Sequence, residues 1–280
     1  MSFKNFIPEI WSAVTLKHLE KNLVFEKLVN RDYEGEIRNF GDTVHIGQIG
    51  KPTVRDYTGG DIEPPEGIDA ADSVLLIDKG KYFNFMVDDI DKRQSMLKNG
   101  MSEAFVNAGR EVSDAIDSEI ALNMTTNAGK KLTNKGAGFT ISSAADAYRF
   151  VANLRTQFQT AHIPLNGRYF VVPSWFYGLL MQDTRFSNFK EVWGEGSITG
   201  LAGIGIVEST NLVKDGGYDI AIGSVKISTC HAHNIVETRA YEREAGFQDA
   251  IKSYTVWGTK VLYPSAIITI KLKDGTEVIE

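Results

Sequence analysis

Residues 88–127, DDIDKRQSMLKNGMSEAFVNAGREVSDAIDSEIALNMTTN, constrain this chain more than any other stretch. Asp88, Asp89 and Asp91 crowd its start, where a free helix N-terminus favours negative charge and side-chain caps. Apolar residues follow at Ile90, Leu97, Met101, Phe105, Ala108, Val112, Ile116, Ile120 and Met124, in steps of three, four and one seven. That spacing makes a single stripe and predicts one long helix. About 35 helical residues at roughly 1.5 Å each would span on the order of 50 Å, a whole domain diameter. A helix that long with one narrow stripe is a backbone for a flat or elongated molecule. Glu111, Asp114 and Asp117 fall at spacing three and, with Glu119, read as a solvated face away from the stripe. Arg110 and Asp114 are four apart, which suits a surface ion pair. Gly100 and Gly109 each cost up to about 1 kcal/mol against alanine in a helix interior. A bend, a break or a close backbone approach is therefore expected near one of them.

The flanks of this helix differ in character. Residues 1–35 read as an arm: Pro8 suits a first helical turn, and IWSAVTLKHLEKNLVFEKLVN is helix-compatible with apolar residues on more than one face. Residues 36–87 turn to strand chemistry. Ile37, Phe40, Val44 and Ile46 alternate near period two, and VLLIDKGKYFNFMV (74–87) predicts a second long strand. Between them PTVRDYTGGDIEPPEGIDAAD is broken by Gly59-Gly60 and Pro64-Pro65. The sum is a long two-stranded ribbon, marginal on its own in water, that gains stability by lying on a neighbouring molecule.

Beyond the helix, a connector at 127–139 leads to AADAYRFVANLRTQFQTA, capped by Ser142 or Ser143, with Ala147, Phe150, Val151, Leu154 and Phe158 on one face. RYFVV (168–172) is a short strand, and Pro173-Ser174 opens the helix WFYGLLMQD. This alternation predicts an α/β layer rather than a bundle. A glycine-rich loop with Trp193 spans 184–203, and strands are expected at 204–209, 218–222, within 225–242, at 254–262 and at 266–272. The fold class is α+β.

Composition excludes several functions. No run of about 18 apolar residues is present, so no helix spans a membrane. The opening MSFKNFIPEIW has no basic region followed by an apolar core, so no signal peptide is expected. The single cysteine, Cys230, rules out an internal disulfide and suits a reducing cytoplasm. A net charge of −6 argues against gripping nucleic acid through its phosphates. Proximity to packaged DNA without sequence-specific binding stays open.

Motifs for chemistry are weak. Gly200, Gly203 and Gly205 run G-x-x-G-x-G, the reverse of the dinucleotide fingerprint. Cys230, His231 and His233 form the best metal candidate, and His231 and His233 would share one strand face. A closed zinc site wants four ligands, and His18, His45 and His162 lie in unrelated segments. The cluster reads more simply as a polar strand face beside a buried thiol. No catalytic constellation and no cofactor are expected, so the chain is read as a non-enzyme.

The order of parts resembles the major capsid proteins of tailed bacteriophages, the Hong Kong-ninety-seven type of fold, which also occurs in encapsulin compartments. The likeness is carried by the arm helix, the strand GDTVHIGQIGKPTVRDYT, the helix SEAFVNAGREVSDAIDSEIA and the segment RYFVVPSWFYGLLMQD. The run SITGLAGIGIVESTNL, then IAIGS, then IVETRAYEREAGFQDAIKSYTVWGTKVLYP is the most specific part. The resemblance implies an N-terminal arm (1–35), an extended β-hairpin loop (36–87) and a peripheral domain with a spine helix (88–139). It further implies an α/β axial domain (140–235) and a return to the peripheral domain (236–280). It implies a virion structural protein, assembled in the host bacterial cytoplasm as pentamers and hexamers into an icosahedral shell around double-stranded DNA. The partners implied are copies of itself, a separate scaffolding protein, a portal protein and decoration proteins. Lys51, Arg55, Asp56, Tyr57, Asp61 and Glu63 of the ribbon would form one subunit interface. Arg185, Lys190, Glu191, Trp193 and Glu195 of the glycine-rich loop would form another. The alternatives are an encapsulin-like shell around protein cargo and, in a different class, a metalloenzyme using Cys230, His231 and His233.

Overall fold

The computed structural model describes residues 24–33, 39–49, 53–57, 59, 64, 67, 70–88, 100–134, 136–183, 197–201, 203–242 and 248–275. Among these are four α-helices and thirteen strands, the strands forming three sheets.

The largest sheet is built around RYFVV. This strand, β6 (Arg168–Val172), is buried at every position. Such a run without alternation marks a strand covered on both faces. Phe170 and Val172 point into one core, while Tyr169 and Val171 point into another. The first core is closed by α3 (Ala144–Thr160) and α4 (Ser174–Met181). Ala147, Val151, Leu154 and Phe158 are the buried residues of α3, the face expected from spacing, with Phe150 packed at its margin. Ser143 caps α3, its hydroxyl accepting from the Asp146 N–H at 3.2 Å. The sheet order is β4 (Lys130–Leu132), β13 (Ile268–Asp274), β10 (Tyr218–Val225), β6, β8 (Ile204–Glu208) and β7 (Ser197–Leu201). Two short strands join it, β5 (Phe139–Ile141) on β13 and β9 (Lys214–Asp215) on β10. Within the loop expected at 184–203, residues 197–201 are a strand, turned back onto β8 through Gly203 at φ +75°.

The second core lies on the opposite face, under the long helix α2 (Gly100–Thr126). The described helix has 27 residues, about 40 Å. Val112, Ile116, Ile120 and Met124 are buried as the stripe requires. The described helix begins at Gly100 and passes Gly109, which is buried, without a break. Two features differ from expectation. Asp88 ends a strand rather than capping the helix, and residues 89–99 lie outside those described. Asp117 is buried. Six residues along a helix turn about 120° away from Glu111, which carries Asp117 from the wet side to the edge of the core.

The ribbon also departs from the reading. β1 (Thr43–Ile49) pairs antiparallel with β2 (Ala70–Leu76), but β2 stops there. The apolar run 74–87 is divided at Ile77 and Asp78, and its second half is a separate strand, β3 (Lys79–Asp88). β3 pairs with β12 (Gln248–Val261), which pairs with β11 (Thr229–Glu242). The ribbon root, Val44, Ile46, Leu75 and Ile77, packs on Cys230, Ala232 and Val256 of that three-stranded sheet. Gly258 permits this crossing, because a Cβ there would lie 2.3 Å from the Leu76 carbonyl oxygen.

Candidate functional site

The surfaces that distinguish this molecule are the ribbon, the segment that enters the body beside α2, and the outer rows of the three-stranded sheet. The ribbon is two strands thick. Its inner face carries Val44, Ile46 and Leu75; its outer face carries Thr43, His45, Asp72, Val74 and Leu76, with His45 Nδ1 2.5 Å from Asp72 Oδ2. Past the paired region Val54 and Tyr57 are 93% and 75% exposed. Arg55 and Asp56 are exposed beside them. Lys51, Asp61 and Glu63, expected at the same surface, lie outside the described residues, as do Arg185, Lys190, Glu191, Trp193 and Glu195.

The entry segment is held by polar groups that periodicity did not single out. Asp117 Oδ1 accepts from the N–H groups of Val24 at 3.0 Å and Phe25 at 2.9 Å. It thereby caps the short helix α1 (Phe25–Leu28), whose Phe25 is fully buried, as is Val29 just beyond it. Burial pushes the Asp117 carboxyl up to about 6, against the opposing pull of the Phe25 N–H, the Asn211 amide and the Val24 N–H; Asp114 adds a small upward push. Glu26 is buried between Arg31 at 2.8 Å and His233 Nδ1 at 3.2 Å. Asn30 then joins β11 as an added backbone partner: its N–H donates to Thr229 O and its carbonyl accepts from His231 N–H. A buried acid on one helix and the free N–H groups at the start of another leave no spacing signal, so only the folded arrangement shows them.

The cysteine–histidine cluster is split by the strand it sits on. His231 and His233 share one face, rings stacked at 5.8 Å, with His231 Nδ1 hydrogen-bonded to Thr259 Oγ1 at 2.9 Å. Cys230 faces the other way, buried beneath the ribbon root. Cys230 therefore cannot join the two histidines on one ion, which removes the ligand set of the metalloenzyme alternative. Among the described residues no group of three or more His, Cys, Asp or Glu side chains is placed to hold a metal.

Beyond the ribbon root, the same face of the three-stranded sheet carries several exposed side chains beside the buried Ala250. Its cross-strand rows are Tyr82–Tyr254–Glu237, Asn84–Lys252–Arg239 and Met86–Ala250–Tyr241. Tyr82 is 77% and Met86 55% exposed. The Tyr241 hydroxyl donates to Asn84 Oδ1 at 3.1 Å, Lys252 Nζ lies 5.2 Å from the Tyr241 ring, and Arg239 pairs with Glu237.

A doubly covered sheet, a long helix on one face and a thin ribbon projecting from a second sheet define a subunit built for a protein shell. The sequence matches the phage capsid protein family over residues 71–270. The chain belongs to that family. Solved structures agree. One from Mycobacterium phage Che8 is 28% identical, with 88% of this chain and 90% of that one covered at a TM-score of 0.70. The capsid structure of the Cyanophage P-SCSP1u is 16% identical, with coverage of 91% and 89% and a TM-score of 0.67. A virus-like particle from Pyrococcus furiosus is 15% identical, with coverage of 94% and 98% and a TM-score of 0.60. No curated protein matches the sequence significantly. The fold is the Hong Kong-ninety-seven type expected from the sequence, and the protein is a bacteriophage capsid protein, a structural component of the virion shell that assembles with copies of itself. No described helix is long and apolar enough to cross a membrane.

Proposed function

We infer that this chain is the major capsid subunit, assembling as pentamers and hexamers into an icosahedral shell that encloses double-stranded DNA without reading its sequence. The observation that carries the reading is the ribbon. Val54 and Tyr57 are exposed past the paired part of a two-stranded element whose core, among the described residues, lies at its root. Such an element is marginal alone and becomes useful when a neighbouring copy covers it. Obligate interfaces bury roughly 2,000–5,000 Å², and a thin subunit reaches that area by overlapping its neighbours. Flat rings of one protein use heterologous contacts, one patch against a different patch.

In this reading residues 1–35 are the arm, 36–87 the extended loop, 88–139 and 236–280 the peripheral domain, and 140–235 the axial domain. Lys51, Arg55, Asp56, Tyr57, Asp61 and Glu63 contact the adjacent subunit, and Arg185, Lys190, Glu191, Trp193 and Glu195 line the ring axis. The subunit needs no cofactor and catalyses no reaction. Assembly takes place in the host bacterial cytoplasm with a separate scaffolding protein and a portal, and decoration proteins are an optional addition.

The test is expression with the phage's scaffolding protein, followed by sedimentation and electron microscopy. Closed shells with five- and six-fold capsomers support the reading. A folded chain that stays monomeric beside intact scaffold overturns it. Shells isolated from infected cells with protein cargo in place of DNA would move the protein to the encapsulin-like alternative.

A further inference from the structure

A groove of about 450 Å³ lies between α3 and the short strands β4 and β5. Its apolar lining is Leu132 of β4, Phe139 of β5, and Phe150 and Leu154 of α3. Leu132, Phe139 and Phe150 pack on the core yet stay only half-buried, the two rings 5.3 Å apart in an edge contact. Cations stand at the rim. The Arg149 side chain is 76% exposed, and Lys130, on the same face of β4 as Leu132, donates from Nζ to Gln157 Oε1 at 2.7 Å. Asp146, the one acid in the lining, is already shared between Arg149 at 3.8 Å and the Ser143 hydroxyl at 2.7 Å. Among the described residues β4 and β5 take β13 as their only strand partner, so the groove runs beside a sheet edge. Such an edge is commonly covered by another piece of chain.

The chain leaves its last described strand at one end of this groove. The Gly275 N–H donates to Ile141 O at 2.9 Å. A Cβ on Gly275 would lie 2.5 Å from Ser142 Oγ, one residue before the cap of α3. From Asp146, in the first turn of α3, the lining continues to Gln157, about 16 Å along the helix. Thr276, Glu277, Val278, Ile279 and Glu280 follow Gly275 and lie outside the described residues; fully extended they reach about 16 Å. Their pattern is two aliphatic residues between two acids. We propose that residues 276–280 lie in the groove of their own chain, with Val278 and Ile279 against the apolar lining and the two glutamates beside Arg149 and Lys130. Length, apolar content and charge sign all match. Burial of the two aliphatic side chains supplies the attraction, and the cations fix the direction of the segment. The strap ties the sheet edge to α3. The contact lies within one subunit, so it does not depend on assembly into a shell.

The test replaces Ile279 with the photocross-linker benzoylphenylalanine in the full chain. A mixture of isotopically light and heavy protein is irradiated, and the linked peptides are read by mass spectrometry. Links within single copies, to residues 130–141 or 144–157, are expected. Links to any other segment, to a second copy, to another protein or to nothing overturn the proposal. A second measurement leaves the groove itself unaltered. Val278→Asp with Ile279→Asp is expected to speed amide hydrogen exchange in residues 130–141 about fivefold, with residues 168–172 unchanged. Equal exchange in the variant and the unmodified chain, or a rise of the same size in residues 168–172, overturns the proposal as well.

Discussion

The eight-stranded sheet and the ribbon are opposite answers to the problem of burying a strand. In the sheet, β6 is covered on both faces, and its four apolar side chains divide between two cores, one under α3 and α4 and one under α2. In the ribbon, among the described residues, β1 and β2 bury Val44, Ile46 and Leu75 on one face at the root, while Leu76 and, beyond the strands, Val54 and Tyr57 stand in solvent. The first region buries its strands within the subunit; in the proposed shell the second is completed by another molecule. Stability of the isolated subunit and competence for assembly should therefore be separable by mutation.

Phe170→Ala strikes the self-sufficient region. Phe170 is fully buried, with its ring 6.1 Å from Phe176 in an edge contact. A loss of about 3–5 kcal/mol is expected in chemical denaturation of the subunit. A loss below about 1 kcal/mol would show that this sheet carries less of the stability than its double cover implies.

Asp117→Asn probes the joint between the regions, where α2 holds the entry segment. The folded carboxyl is raised from 3.8 to about 6, so the native state binds the extra proton between those values. The stabilisation from holding Asp117 neutral is complete below about pH 4 and is lost as pH rises through 6. Asparagine keeps an acceptor for Val24 and Phe25 without the buried charge. Its stability should lack this one component of the pH dependence and exceed the wild type at pH 7 by on the order of 2–3 kcal/mol. Parallel pH profiles from thermal melts of the two proteins would refute the assignment.

Gly258→Ala attacks the ribbon root. With a Cβ 2.3 Å from the Leu76 carbonyl oxygen, backbone has to move. A cost of about 1–3 kcal/mol is expected, together with faster proteolytic cutting around residues 43–76 than around 168–172. Val54→Ser should have the smallest effect on the subunit, within about 0.5 kcal/mol, yet lower the yield of shells. An equal loss in both measurements would erase the distinction between the two regions.

Much of this architecture was legible before any coordinates. The three- and four-residue steps of Val112, Ile116, Ile120 and Met124 correctly located the buried stripe of α2, and Ala147, Val151, Leu154 and Phe158 did the same for α3. RYFVV was readable as a strand because its length and flanking turns left no room for a helix. The order of these segments was specific enough to indicate the capsid fold. Ribbon residues Arg55, Asp56 and Tyr57 were legible as surface from the Gly, Pro and Asp content around them. The remaining interface candidates lie outside the described residues.

Local pattern determined which residues form elements and which faces are apolar, because helix and strand periodicities are properties of a few neighbouring side chains. Tertiary structure alone decided where VLLIDKGKYFNFMV divides, since that depends on β1 claiming its first half and β12, some 170 residues away, claiming its second. It also decided that Asp117 turns inward to cap a chain segment 93 residues earlier, and that Cys230 faces away from His231 and His233 under the ribbon root. In each case the deciding partner is distant in sequence. A backbone N–H or a packed side chain selects its partner by proximity in the fold, and no spacing along the chain encodes it.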